Sequence, residues 1–241
     1  MSAHGAAASL VSGRGAATPA TRQLRFLAGG ALLAFALPFV LTDLVTIDRD
    51  LYYGIYAASV GALFALWLRS AGRPVRQVLT RNWRAGVALA VLFGGVLVAV
   101  ALKETATSRP HGWTFAGALV WRGVVYGLAD GLLLSTFPIL VVFAAFGARP
   151  LRERTKRAVL GIGALALAAS LAFTAVYHLG YSDFRGSKLR KPVAGDVLWS
   201  APTLLTLNPV GAPLAHAALH VTAVAHAYDT DTFLPPHAVG R

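Results

Sequence analysis

The chain has 241 residues, 56% of them hydrophobic and only 13% charged, with a formal net charge of +12. A soluble domain carries about 25% charged residues, and the apolar residues here gather in runs near the roughly 20 needed to cross a hydrocarbon core, which excludes an ordinary soluble domain. There is no cysteine, which excludes a disulfide framework, a thiolate zinc site and a cysteine nucleophile.

Residues 1–22 are mostly Ala, Gly, Ser and Thr with a few Arg, a composition that predicts a disordered N-terminal tail. A transmembrane domain over 23–227 and a polar C-terminal tail over 228–241 complete the expected organisation. Span one covers 24–45 and contains Pro38; it is too long for a signal-peptide core and is expected to be retained. Span two covers 51–68 and span three 85–102. Span four runs from Trp113 to Gly147 and is interrupted by Arg122, Asp130 and Pro138. At 1.5 Å per residue it would be about 50 Å long, against a core of about 30 Å; one long tilted helix kinked at Pro138 and two shorter pieces both fit, and one helix is preferred because no loop-forming cluster divides it. Span five covers 158–179. The last region, 197–227, is apolar but broken by Pro202, Pro209 and Pro213. The runs are continuous rather than alternating, so the expected fold is all-α, a polytopic bundle of about six transmembrane helices.

The basic residues orient this bundle. With a cytoplasmic N-terminus, Arg14, Arg22 and Arg25, the 69–84 and 149–157 segments and Arg241 fall inside. Arg49, Lys103, Arg109 and the 185–191 cluster fall outside. Inside exceeds outside by about two to one, as the positive-inside rule requires. The bias accounts for most of the net charge, so the expected partner is the lipid bilayer and not nucleic acid. Heavy use of Ala, Val, Gly and Arg, with little Lys, suggests a GC-rich bacterial genome and hence a bacterial plasma membrane.

Ionisable residues inside spans carry the functional expectations, because a charge at the bilayer centre costs about 2.5–3.5 kcal/mol on insertion scales. Arg122 and Asp130 lie eight residues apart in span four, about 12 Å along the axis, and each needs a partner on another helix. A structural lock, with Arg122 near an interface and Asp130 bonded to a neighbouring helix, is the plain reading. His216 and His220 stand at i, i+4, on one helix face, the spacing that offers two ligands to one metal. Zinc wants three or four ligands, and His178 at the end of span five is the candidate third, with Asp130 a fourth member. Bonding across helices is the competing reading of the histidine pair. His226 faces elsewhere and reads as interfacial. Asn208-Pro209-Val210-Gly211-Ala212-Pro213 predicts a helix break, with a new helix starting near Pro213. The 185–191 loop and Asp229-Thr230-Asp231 read as solvated segments.

These places resemble motifs of the intramembrane protease family named for CAAX processing and bacteriocin self-immunity, CPBP. That family carries E-E-x-x-x-R, F-x-x-x-H and H-x-x-x-N on separate membrane helices. Trp121-Arg122-Gly123 resembles the end of the first motif. Phe173 to His178 resembles the second, with Thr174 at the Phe position and Phe173 one residue early. Pro213 and His216 to His220 resemble the third, with His220 in place of Asn. The likeness spans about residues 113–226 and implies peptide cleavage near the membrane by a glutamate-activated water. The paired glutamates would fall at Gly117 and Ala118, and spans four to six contain no Glu.

The expectation is a degenerate relative with Arg122, Asp130, His178, His216 and His220 as site residues. It is either a hydrolase, using a divalent metal such as zinc held by the histidines, or a binding-only protein for a peptide or membrane-protein partner. A small transporter or channel component and an accessory structural protein are the alternatives. Haem between His178 and a last-region histidine is a further idea.

Overall fold

The structure is a computed structural model and describes residues 19–72, 74–146, 155–229 and 233–235. Its fold is all-α. Among the described residues, five helices are long and apolar enough to cross a membrane. They are α1 (Ala20–Leu44), α2 (Arg49–Ser70), α4 (Trp83–Ala101), α5 (Gly112–Ala145) and α6 (Lys156–Leu179). Short helix α3 (Val75–Thr80) joins α2 to α4. Two more rods follow, α7 (Arg190–Thr206) and α8 (Gly211–His226). The protein is a multi-pass helical membrane protein. Leu32, Val91, Leu92 and Leu160 are each more than 60% exposed, an outer surface suited to lipid and not to water.

Local chemistry sets the boundaries. Asp48 Oδ1 accepts from the backbone N–H of Asp50 and Leu51 and starts α2; Thr155 Oγ1 accepts from Ala158 N and starts α6. Both are side-chain N-caps. Among the described residues, helical structure already covers 19–22, inside the stretch expected to be tail. The rest of that tail, with Arg149, Arg152, Arg154, Asp231 and Arg241, lies outside the described residues.

Helix α5 is continuous over 34 residues, and 72% of its most apolar window is buried, against 17–33% in the other four long helices. It is therefore the central rod. Two π-helical segments, Leu119–Val125 and Leu132–Thr136, interrupt it. The second ends immediately before Phe137-Pro138. The wider turn accommodates a proline that has no N–H to give the preceding carbonyls.

The last region differs from the broken single span expected. It forms two rods, α7 and α8, of 17 and 16 residues. At 1.5 Å per residue each is about 25 Å long. The turn between them is pinned to the start of α4: Asn82 donates to Thr206 O, and Asn208 donates to Leu79 O and Arg81 O. At the opposite end Thr107 N donates to His226 O. Thus α8 runs parallel to α4 and α7 antiparallel to it. One end of the bundle holds 79–82 and 206–208. The other holds 43–50, 104–111, 180–189 and 226–229, tied by Arg185 to Asp43 and by Arg122 to Asp50. The C-terminal segment is also less purely polar than expected, since Leu234 is fully buried against Ala118, Ala223 and Val224.

Candidate functional site

Helix α8 lies against α5 along a bare glycine stripe. Gly123, Gly127 and Gly131 recur every four residues and face Val221, Ala217 and Pro213, which recur every four residues on α8. A Cβ on Gly127 would fall 2.7 Å from Ala217 Cα, and one on Gly131 2.7 Å from Pro213 Cα. Small residues let helix backbones approach this closely in a membrane. The same bare backbone makes room for imidazoles: those two positions also lie 3.2 Å from His220 Cδ2 and 3.0 Å from His216 Cβ.

The stripe brings Asp130, His216 and His220 together. Nε2 of His216 and Nε2 of His220 each lie 3.5 Å from Asp130 Oδ2. The three ligand atoms fall within 4.8 Å of one another, the one such group among the described residues that could hold a metal. Tyr56 on α2 donates its hydroxyl proton to the other oxygen, Asp130 Oδ1, at 2.8 Å. Residual exposure is 5% for Asp130, 2% for His216 and 4% for His220. The His216 ring packs on Trp199, with centroids 4.6 Å apart, and His220 meets the edge of Tyr126 at 5.0 Å. Neither Nδ1 has a hydrogen-bond partner.

The separations bear on the chemistry. An N–H···O bond commonly spans about 2.7–3.2 Å, so at 3.5 Å the two imidazoles make long contacts to the carboxylate. Ligand atoms placed tetrahedrally at about 2.0–2.1 Å from a zinc ion stand about 3.3–3.4 Å apart. Two imidazole nitrogens and a carboxylate oxygen are a zinc-type donor set with a fourth position left over. The Tyr56 hydrogen bond is the outer contact that orients a ligating carboxylate.

Of the five residues expected to form a site, two stand elsewhere. Arg122 makes a bidentate pair with Asp50, its Nε and Nη2 each 2.8 Å from a carboxylate oxygen, and donates to the Tyr228 hydroxyl at 3.0 Å. It ties α5 to the first turn of α2 and to the C-terminal segment, as the lock reading has it. His178 bonds through Nδ1 to Thr174 O at 2.8 Å and packs against Tyr177 and Phe184. The group that converges is thus two histidines and an aspartate, not three histidines. His226 holds Glu104 O through Nε2 at 2.9 Å, an end-of-bundle tie.

Two polar groups escaped the sequence reading. Tyr52, Tyr126, Tyr177 and Tyr181 link hydroxyl to hydroxyl at 2.5–3.3 Å in the buried interior. Asp196 on α7 is fully buried among serine hydroxyls. Tyrosines read as apolar in a hydropathy scan, so only their recurrence in α2 (Tyr52, Tyr53, Tyr56) hinted at a shared inner face. Asp196 fell one residue outside the predicted apolar region, and the glycine spacing at 123, 127 and 131 was the available signal for the α5–α8 contact.

Compared with protein-family models, with curated proteins and with solved structures, the chain matches none.

Proposed function

We propose that this protein is a membrane-embedded metal-binding protein that holds a divalent transition ion, zinc by its donor set, between Asp130, His216 and His220. The observation that carries the reading is the convergence of two imidazole nitrogens and a carboxylate oxygen, from two helices, within 4.8 Å of one another, a donor set suited to zinc. Electrostatics supports it: a carboxylate away from water requires a positive partner. Asp130 contacts the Tyr56 hydroxyl and the His216 and His220 imidazoles. The ion would supply that charge and, as a Lewis acid, would polarise whatever occupied its fourth position.

Binding is favoured over peptide cleavage. Asp130, His216 and His220 are buried, so a polypeptide reaches them only if helices part. Gly117 is exposed and Ala118 packs against Ala223, so no carboxylate stands where the CPBP motif places its glutamates. A degenerate CPBP-type scaffold, with an altered ligand set on its last helix, fits the motif remnants at Arg122, His178 and His216. Its bacterial plasma-membrane setting and cytoplasmic N-terminus rest on composition and charge bias.

The test is metal content of detergent-purified protein after zinc reconstitution and desalting. The expected result is stoichiometric zinc, lost in Asp130→Asn, His216→Ala and His220→Ala and kept in His178→Ala and Arg122→Gln. Wild type that retains no metal sinks the reading. Cleavage of membrane-proximal peptides by the loaded protein, lost in the same three variants, would turn it into a hydrolase. A transporter component is the second reading, favoured by a second buried carboxylate, Asp196. It expects ion flux in vesicles that vanishes in Asp130→Asn.

A further inference from the structure

Asp196 occupies a separate polar chamber between α5, α6 and α7. Its Oδ1 accepts from Ser200 Oγ at 2.6 Å and from Ser135 Oγ at 3.1 Å. Ser170 Oγ lies 2.7 Å from Ser200 Oγ and donates to the Leu134 carbonyl at 3.0 Å. Asp196, Ser135, Ser170 and Ser200 are all fully buried. The Trp199 side chain, one turn along α7, is a further hydrogen-bonding neighbour of Asp196, and like the serines it is neutral.

We propose that Asp196, Ser135, Ser170, Ser200 and the Leu134 carbonyl form a binding site for a monovalent cation of sodium size. Three points carry it. The donors are all oxygens, the set that selects hard cations over the softer ions suited to imidazole. They come from three helices, and two of them, Leu134 and Ser135, lie in the π-helical segment Leu132–Thr136, an irregularity frequent at functional sites. The charge count then picks the valence: one carboxylate and no other acidic group in the cluster is neutralised by a single positive charge, while a divalent ion would leave a net charge away from water. Binding rotates the serine hydroxyls so that their lone pairs face the ion, and the carboxylate gains the positive partner that its neutral neighbours do not supply.

The site is independent of the Asp130 metal site, and its test separates the two. Full-length protein in nanodiscs is equilibrated with 22Na+ in choline chloride, with a transition-metal chelator present throughout. The expected result is saturable 22Na+ binding that the chelator leaves unchanged and excess unlabelled sodium displaces. Asp196→Asn should abolish it, and Ser200→Ala or Ser170→Ala should weaken it at least about tenfold, while the exposed-site control Asp229→Asn should bind as wild type. Thermal unfolding of the wild type is followed in parallel, because a ligand bound only by the folded state raises Tm. Sodium chloride should raise Tm above its value in choline chloride, a readout that does not depend on any variant folding. Absence of both saturable binding and a sodium-specific Tm rise in wild type overturns the proposal. Binding that persists in Asp196→Asn and both serine variants overturns the assignment of this chamber.

Discussion

Tyr56 and Tyr53, three residues apart on α2, show how one hydroxyl can matter where another does not. Both are fully buried. The Tyr56 hydroxyl donates to Asp130 Oδ1 at 2.8 Å, whereas the Tyr53 hydroxyl has no hydrogen-bond partner. Leaving a buried acceptor unsatisfied costs about 1–3 kcal/mol, while deleting an unsatisfied group removes a penalty. Thermal unfolding in detergent should therefore show Tyr56→Phe destabilised by about 1–3 kcal/mol and Tyr53→Phe at or above wild-type stability. Tyr56→Phe should also weaken zinc binding by about 10–100-fold, the usual effect of losing an outer contact to a ligand. Equal behaviour of the two variants would remove Tyr56 from the site. Arg122 was legible as a residue needing a partner, but Asp50 lies just before the predicted second span, so only the fold shows which acid receives it.

At the scale of elements, the contact between α5 and α8 decides whether the site exists. Gly127 meets Ala217 backbone atoms at 2.7 and 3.1 Å from its ideal Cβ, so the neighbour cannot swing aside as a side-chain end would. Gly117, on the same helix, has nothing within 4 Å. Overpacking costs about 1–3 kcal/mol, and any widening of this contact moves His216 and His220 away from Asp130. Gly127→Val should lower the unfolding temperature and lose bound zinc together, with Gly117→Val near wild type in both. A Gly127→Val protein with full zinc content would show that the stripe does not hold the ligands in place. Pinning at the other end has the same logic: four hydrogen bonds by Asn208, to Leu79 O, Arg81 O, Thr206 Oγ1 and Val210 N, fix where α8 starts. The helix break at Asn208-Pro209 was readable from proline and glycine density, but its anchoring to the loop before α4 was not.

At the scale of the whole molecule, the sequence arithmetic of crossings changes with α7. Hydropathy hides that helix because Arg190, Lys191 and Asp196 occupy its first half, and only its second half reads as apolar. Counting α7 and α8 separately puts residue 229 at the same end of the bundle as 106 and 187, opposite residue 80. The absence of native cysteine makes this directly measurable. In sealed vesicles, Ala106→Cys, Ser187→Cys and Asp229→Cys should react with an impermeant maleimide from one side and Thr80→Cys from the other. Labelling of Asp229→Cys with Thr80→Cys would restore a single last crossing.

The sequence by itself determined the solvent and the class of fold. Five long apolar runs admit only helices in hydrocarbon, since every backbone N–H and C=O must be paired within its own segment, and boundaries then follow from caps, prolines and charges close by in the chain. It also marked Asp130, His216 and His220 as expensive residues needing company. Only the tertiary structure decided which of the marked residues keep company with which. His178 and Arg122 carry the same kind of signal as His216, yet end up bonded to Thr174 and Asp50. The reason is physical: helix rotation and spacing are set by small residues meeting across an interface, here glycines opposite Pro213, Ala217 and Val221, and that interface joins segments more than eighty residues apart.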